Sequence, residues 1–248
     1  MPGDRPLLVR SNYLKDLAGY PLGQTGISMG SLGFTDKMRN QLVTSGNYFR
    51  EGPGANAIST KDFKDISFNG VQQNILWLSF VARQTQGTTD RYFDLVLRGK
   101  DNTCLPHDPD PAEDEILAIG MPSRATAQQW QIWDRNTASP TRSIAVSSES
   151  TTQKSFLLVR MEINVDGGVN ERFSLWVNPR LDMDPPDSEA VTFTSQGSNL
   201  ERWDQITMIR IGAGRPDGNM MPSGWELDEI RLGLSRQDVT PFTPPDPP

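Results

Sequence analysis

Apolar residues along this chain come in short runs in which hydrophobic and polar positions alternate. ILWLSFVA (75–82), YFDLVLRG (92–99), EILAIGM (115–121) and QWQIWD (129–134) open the series. SFLLVRMEIN (155–164), NERFSLWVNP (170–179), AVTFTS (190–195), QITMIRIG (205–212) and WELDEIRLG (225–233) continue it. Each run is rich in β-branched and aromatic residues and is bounded by Gly, Pro, Asn or Asp, which predicts a strand. LLVRMEINVDGGVNERFSLWVN reads as two strands around an Asp166-Gly167-Gly168 turn, a hairpin signal. In its first strand Leu158, Arg160, Glu162 and Asn164 share one face, and Leu157, Val159, Met161 and Ile163 share the other. One polar and one apolar face predict an antiparallel sheet packed on a partner.

Nine or more such strands without a convincing helix predict an all-β fold, an antiparallel two-sheet β-sandwich or jelly roll. Only residues 36–44 (DKMRNQLVT) offer a short helical reading. No internal repeat is found. The prediction is one domain over residues 1–237, its first 35 residues weakly patterned. Residues 238–248 follow as a Pro-rich tail, read as an extended arm.

Charge then narrows the function. The 248 residues carry a net charge of −7, with no basic run longer than two residues. Nucleic acid is excluded as a partner, because phosphate binding needs clustered Lys and Arg. Membrane insertion is not expected either, since no apolar run approaches the length of a span. No signal peptide is visible at the N-terminus. The single Cys, Cys104, excludes an internal disulfide, and the single His, His107, leaves little basis for a His-dependent triad or metal centre.

Two stretches carry a family likeness. Trp176-Val177-Asn178-Pro179, followed by a Pro-rich loop, pairs with a closing Asp228-Glu229-Ile230-Arg231-Leu232-Gly233 strand and a Val239-Thr240-Pro241 exit. Together they resemble the LamG-like jelly rolls of the concanavalin A-like lectin/glucanase superfamily, domains of bacterial exported proteins. The likeness runs from Phe68 to Pro241, with a vague match before it (Tyr20–Gly23 and Gly30–Phe34). It implies a concanavalin A-like fold, an extracellular or cell-surface setting, and a structural Ca²⁺ at the sandwich rim. It does not name a ligand, because the superfamily holds lectins, adhesion modules, hydrolases and lyases.

Within that frame GWELDEIRLG is the first candidate for chemistry. Retaining glycoside hydrolysis needs two carboxyl groups about 5–5.5 Å apart. Strand alternation puts Glu226 and Asp228 on one face, but the next position is Ile230, so the further carboxylate is missing. Glu229 points to the other face, where Arg231 is its natural ion-pair partner. Asp228 is then either a carboxylate accepting backbone or Arg hydrogen bonds or, as the resemblance implies, a Ca²⁺ ligand. The acidic stretches HDPDPAEDE (107–115) and LDMDPPD (181–187) are broken by prolines and read as loops. A lyase would use a Tyr base with Arg and an amide; Tyr92, Arg98 and Gln131 are the right types.

Sugar binding instead asks for a flat aromatic ring beside amides and carboxylates. Trp77 and Trp176 lie in very apolar strands and read as core. In QWQIWD, Trp130 and Ile132 share one face while Gln129, Gln131 and Trp133 share the other. Trp133, Gln131 and Tyr92 are therefore the predicted carbohydrate contacts, and Asp228 the predicted metal ligand. The reading is a non-catalytic carbohydrate-binding or adhesion module that meets a polysaccharide or glycan. The alternatives are a lyase or hydrolase on the same fold, or a structural subunit of a surface assembly, filament or virion that meets neighbouring protein subunits.

Overall fold

In the computed structural model of the chain, the described residues are 9–10, 25–28, 31–44, 48–51, 57–62, 74–85, 91–98, 115–122, 125–134, 144–165, 170–196, 208–214 and 224–245. The strands among them are β1 (Val9–Arg10), β2 (Thr25–Ser28), β3 (Gln41–Leu42), β4 (Tyr48–Glu51), β5 (Ala57–Asp62), β6 (Ile75–Gln84), β7 (Tyr92–Arg98) and β8 (Glu115–Met121). They continue as β9 (Gln129–Asp134), β10 (Ile144–Ser150), β11 (Ser155–Val165), β12 (Asn170–Val177), β13 (Val191–Gln196), β14 (Met208–Gly214), β15 (Trp225–Gly233) and β16 (Phe242–Thr243). A single α-helical turn, α1 (Arg236–Val239), follows β15. No helix among the described residues is long and apolar enough to cross a membrane.

The strands form the predicted two-sheet antiparallel β-sandwich. One sheet has the order β13-β12-β11-β6-β15-β4-β2, with β1 also paired to β15. The other has the order β10-β9-β8-β7-β14-β5. Alternation along each strand decides which side chains meet between the sheets. Leu76, Leu78 and Phe80 of β6, with Leu157, Val159 and Met161 of β11, face Phe93, Leu95 and Leu97 of β7 and Leu117 and Ile119 of β8; all are fully buried. For Leu157, Val159 and Met161 the inward face of β11 is the one read from its sequence. An aromatic cluster anchors the centre. Phe93 stacks on Trp225 at 5.0 Å, and Trp130 lies 5.8 Å from Trp225.

Strand β15 breaks its own alternation. Asp228 pairs with Val81 and Arg231 with Ser79, so three residues of β15 advance against two of β6. The extra residue is Glu229, with a left-handed φ of 55°. Such a bulge flips the parity of everything after it. Trp225 and Leu227 point into the core, and beyond the bulge Ile230 and Leu232 do so as well. The expectation that Ile230 shares a face with Glu226 and Asp228 fails for this reason. Those two carboxylates lie on the outer side of the sheet.

That outer side is only partly wet. A second apolar cluster of Phe34, Leu42, Val81, Phe156, Leu158, Trp176, Leu181 and Val239 covers its middle. The cover comes from residues 31–44, the loop after β12 and the chain after β15. Two sequence expectations are corrected here. The arm expected from residue 238 is folded on as far as Thr243: Val239 is fully buried and β16 pairs with β3. Residues 36–44 form a turn and a short strand in place of a helix. The Asp36 carboxylate accepts from the backbone N–H of Met38 (2.8 Å) and Asn40 (2.9 Å), and this local side-chain turn competes with helix formation.

Asp36 also fastens this segment to its neighbour, accepting from Asn40 Nδ2 at 2.8 Å and from Leu181 N at 2.9 Å. Burial alone would raise its pKa, but these hydrogen bonds to the ionised form outweigh it, and the net shift is downward. A lowered folded-state pKa gives stability that is present above the unfolded value of about 3.9 and is lost as pH falls through the folded value. The melting temperature should therefore drop on acidification below about pH 4, and Asp36→Asn should flatten that part of the profile. A profile unchanged by Asp36→Asn would remove Asp36 as its cause.

Candidate functional site: the outer face of the six-stranded sheet

With Phe93, Leu95 and Leu97 turned inward, β7 presents Tyr92, Asp94 and Val96 on the outside of its sheet. The register fixes their neighbours. Asp94 lies between Gly120 of β8 and Gly212 of β14, and Gly120 in turn lies beside Gln131 of β9. One row across the sheet therefore reads Val146, Gln131, Gly120, Asp94, Gly212. Strands sit about 4.8 Å apart, so the Gln131 and Asp94 backbones are about 10 Å apart with bare backbone between them.

Both glycines have a geometric reason. A Cβ on Gly120 would stand 2.1 Å from the carbonyl oxygen of Phe93, because its φ of 153° turns that direction in-plane toward β7, so no side chain fits there. A Cβ on Gly212 would stand 2.3 Å from Asp94 Oδ1 and 3.6 Å from Tyr92 Cε2. The carboxylate and the phenol ring thus converge over Gly212. Glycine inside a strand often marks a place where another group must come close to the backbone. Asp94 and Gln131 are 7% and 8% exposed, and Tyr92 is half-buried.

Tyr92, Gln131 and Trp133, picked from sequence, all lie on this one face. Trp133 sits one row over, beside Ala118, and packs with Ala118 and Val96 at 3% exposure. At that exposure it is covered and offers no open platform, contrary to the expectation for a stacking ring. At the sheet edge Ile144 and Val146 are 51% and 46% exposed. Asp94, Gly120 and Gly212 escaped the sequence reading. The signal was an outward Asp in YFDLVLR with glycines in two other strands, but only the strand order shows that those strands flank it.

The remaining candidates separate. Tyr92 and Arg98 end opposite tips of β7, about 20 Å apart along a strand, so they do not form a base-and-neutraliser pair. Glu226 is buried in an ion pair with Arg83. Asp228 Oδ2 accepts from Ser31 Oγ (2.7 Å) and Leu32 N (2.8 Å), and its Oδ1 accepts from Glu229 N (2.9 Å). Three donors on a 1% exposed carboxylate tie the segment at residue 31 to β15 and do not fit a Ca²⁺ ligand, which needs those lone pairs for the ion. Among the described residues no group of three His, Cys, Asp or Glu is arranged for a metal. Glu229 pairs with Arg231, as read from sequence. In the 181–187 loop, Arg180 pairs with Asp182 at 2.7 Å, Arg236 with Asp184 at 2.6 Å, and Trp176 Nε1 donates to Pro186 O at 2.9 Å, all structural roles. Cys104, His107, the acidic stretch before Glu115, Trp203 and the Asp166-Gly167-Gly168 turn lie outside the described residues.

No family model matches the chain, and no curated protein matches it. Solved structures do. An endo-β-1,4-glucuronan lyase from the fungus Trichoderma reesei is 14% identical over 88% of this chain and 94% of its own, with a TM-score of 0.48. The exoplasmic/lumenal domain of VIP36, in a Ca²⁺/Man3GlcNAc-bound form, is 10% identical over 82% of this chain and 88% of its own, with a TM-score of 0.46. The carbohydrate recognition domain of Emp47p is 10% identical over 84% and 87%, with a TM-score of 0.43.

Proposed function

We propose that the chain is a non-catalytic carbohydrate-binding module on a concanavalin A-like jelly roll, with its site on the outer face of the six-stranded sheet. The observation that carries this is the convergence of the Tyr92 ring and the Asp94 carboxylate over Gly212. A saccharide needs an aromatic edge for its C–H face and paired acceptors and donors for its hydroxyls. Tyr92 supplies the first, and Asp94 and Gln131 the second, on either side of the bare backbone at Gly120. The exported setting implied by the family likeness belongs to the same reading. Chemistry at β15 is disfavoured because Glu226 and Asp228 are both committed to partners, leaving no acid and base pair.

The test is a panel of soluble neutral and acidic polysaccharides, scored for thermal stabilisation and for new reducing or unsaturated ends. Stabilisation without product is expected; saturating ligand at 100 times Kd adds about 2.7 kcal/mol. Asp94→Asn and Gln131→Ala should each weaken binding about tenfold, the worth of one well-placed hydrogen bond. New chain ends would overturn the non-catalytic reading, and full binding by both variants would move the site elsewhere.

A further inference from the structure

On the opposite side of the molecule, the outer face of the eight-stranded sheet holds an open groove of about 560 Å³ at the start of β6. This is within the usual range for small-ligand sites, about 300–1,000 Å³. Ile75 and Trp77 form its apolar floor, and Leu234 to Gln237, Asn74 and Asp184 stand around it. Trp77 is half-buried and Ile75 is 37% exposed, so this floor reaches solvent. We propose that this groove is a second saccharide site, which takes an uncharged sugar ring.

Three features of the groove carry the assignment. First, the indole is held in place before any ligand arrives. Trp77 stacks on Trp176 at 5.9 Å with 24° between the planes, and the Arg160 guanidinium lies 5.9 and 5.3 Å from the two ring centroids. Arg160 is itself pinned by Glu162 at 3.2 Å and Asp187 at 3.0 Å. A fixed flat ring loses little entropy when a sugar face covers it.

Second, the wall is fixed as closely. Gly233 is the cross-strand neighbour of Trp77, and a Cβ there would meet Asp238 Cβ at 2.5 Å. The missing side chain lets α1 sit directly on the sheet beside the indole. Ser235 caps that turn in a capping box with Asp238, which holds Gln237 at the rim.

Third, the polar rim suits hydroxyls and not an anion. Asn74 and Gln237 are exposed amides, each with a donor and an acceptor, and the Asp184 side chain is 80% exposed. The guanidinium on the rim, Arg236, is already engaged. It donates to Asp184 Oδ1 (2.6 Å), Leu181 O (2.8 Å) and Thr240 Oγ1 (3.1 Å). A uronate would have to displace Asp184 from it. Amides, one compensated carboxylate and an indole are the groups that read a neutral pyranose.

This site does not rest on the reading of the six-stranded sheet's outer face, since residues, face and probe signals all differ. The experiment uses the full chain labelled with ¹⁵N. Its Trp77 indole N–H is assigned through Trp77→Phe, and it is titrated with cellohexaose, mannohexaose, xylohexaose and trigalacturonate. At least one neutral oligosaccharide should shift the Trp77 indole and the Asn74 and Gln237 side-chain signals saturably. The exposed double variant Asn74→Ala/Gln237→Ala should weaken that response about fivefold or more, while Gln131→Ala leaves it unchanged. The inference is overturned if none of the three neutral sugars moves those signals, if trigalacturonate alone does, or if the double variant binds like the parent.

Discussion

Gly120→Ala should cost about 3 kcal/mol or more and lower the melting temperature by about 10 °C. The added methyl would sit 2.1 Å from Phe93 O and 2.9 Å from Phe93 C, both backbone atoms. Strands β7 and β8 are both interior to the six-stranded sheet, so neither can move without repacking Leu95, Leu117 and Ile119. Ala at this site must also adopt a φ of 153°, a region L residues avoid. Gly212→Ala is the matched control with a different outcome. Its methyl meets the end of the Asp94 side chain at 2.3 Å, and a side chain can rotate away where a backbone cannot. The sheet should therefore survive Gly212→Ala, while Asp94 leaves its seat beside Tyr92 and glycan affinity falls with it. Urea unfolding of both variants measures the first effect, and calorimetric titration of Gly212→Ala the second. Unchanged stability of Gly120→Ala would show that residue 120 can leave its φ of 153° at little cost. Unchanged affinity of Gly212→Ala would remove Asp94 from the proposed site.

The pair also shows where sequence reading stopped. Period-two alternation was enough to give nearly every long strand and the inward face of β11, because a half-buried strand must alternate. It placed Trp130 and Ile132 inside and Gln131 and Trp133 outside for the same reason. What alternation cannot show is which strand lies beside which. Asp94 is unremarkable in YFDLVLR until β8 and β14 bring a glycine to each side of it. Nor does alternation reveal a bulge. Nothing in WELDEIRLG marks Glu229 as the inserted residue, so alternation puts Asp228 on the inward face of Ile230 and Leu232 when it lies on the outer one. The prolines of the tail predict an extended arm, yet Val239 and Phe242 each have an apolar surface to join. Composition set the expectation there, and tertiary burial decided the outcome.

Arg231→Met should destabilise the protein by about 3–5 kcal/mol, the usual cost of leaving one charge of a buried pair without its partner. Arg231 is 1% exposed at its side chain and Glu229 is not exposed at all. The Arg231 Nη2 donates both to Glu229 Oε2 and to the carbonyl of Val43. It therefore couples the bulge of β15 to the segment that covers the outer face of the sheet. Glu229 makes this contact from a left-handed backbone that costs a non-glycine residue of order 1 kcal/mol. Glu229→Gly would relieve that cost but orphan Arg231, so it should still be destabilising. The double variant Glu229→Gly/Arg231→Met removes both charges and relieves the backbone, and it should recover much of the loss, because a buried ion pair often adds little over an apolar pair. A double-mutant cycle by denaturant unfolding measures the coupling, expected to be well above 1 kcal/mol. Amide exchange distinguishes the two jobs of Arg231. If its bond to Val43 is what holds the cover, the N–H groups of Leu42 and Val43, which donate to Phe34 O and Pro241 O at 2.9 Å each, should exchange faster in the double variant even as global stability returns. Protection restored together with stability would mean that the apolar cluster of Phe34, Leu42 and Val239 holds the cover by itself, and that the arginine serves only the bulge.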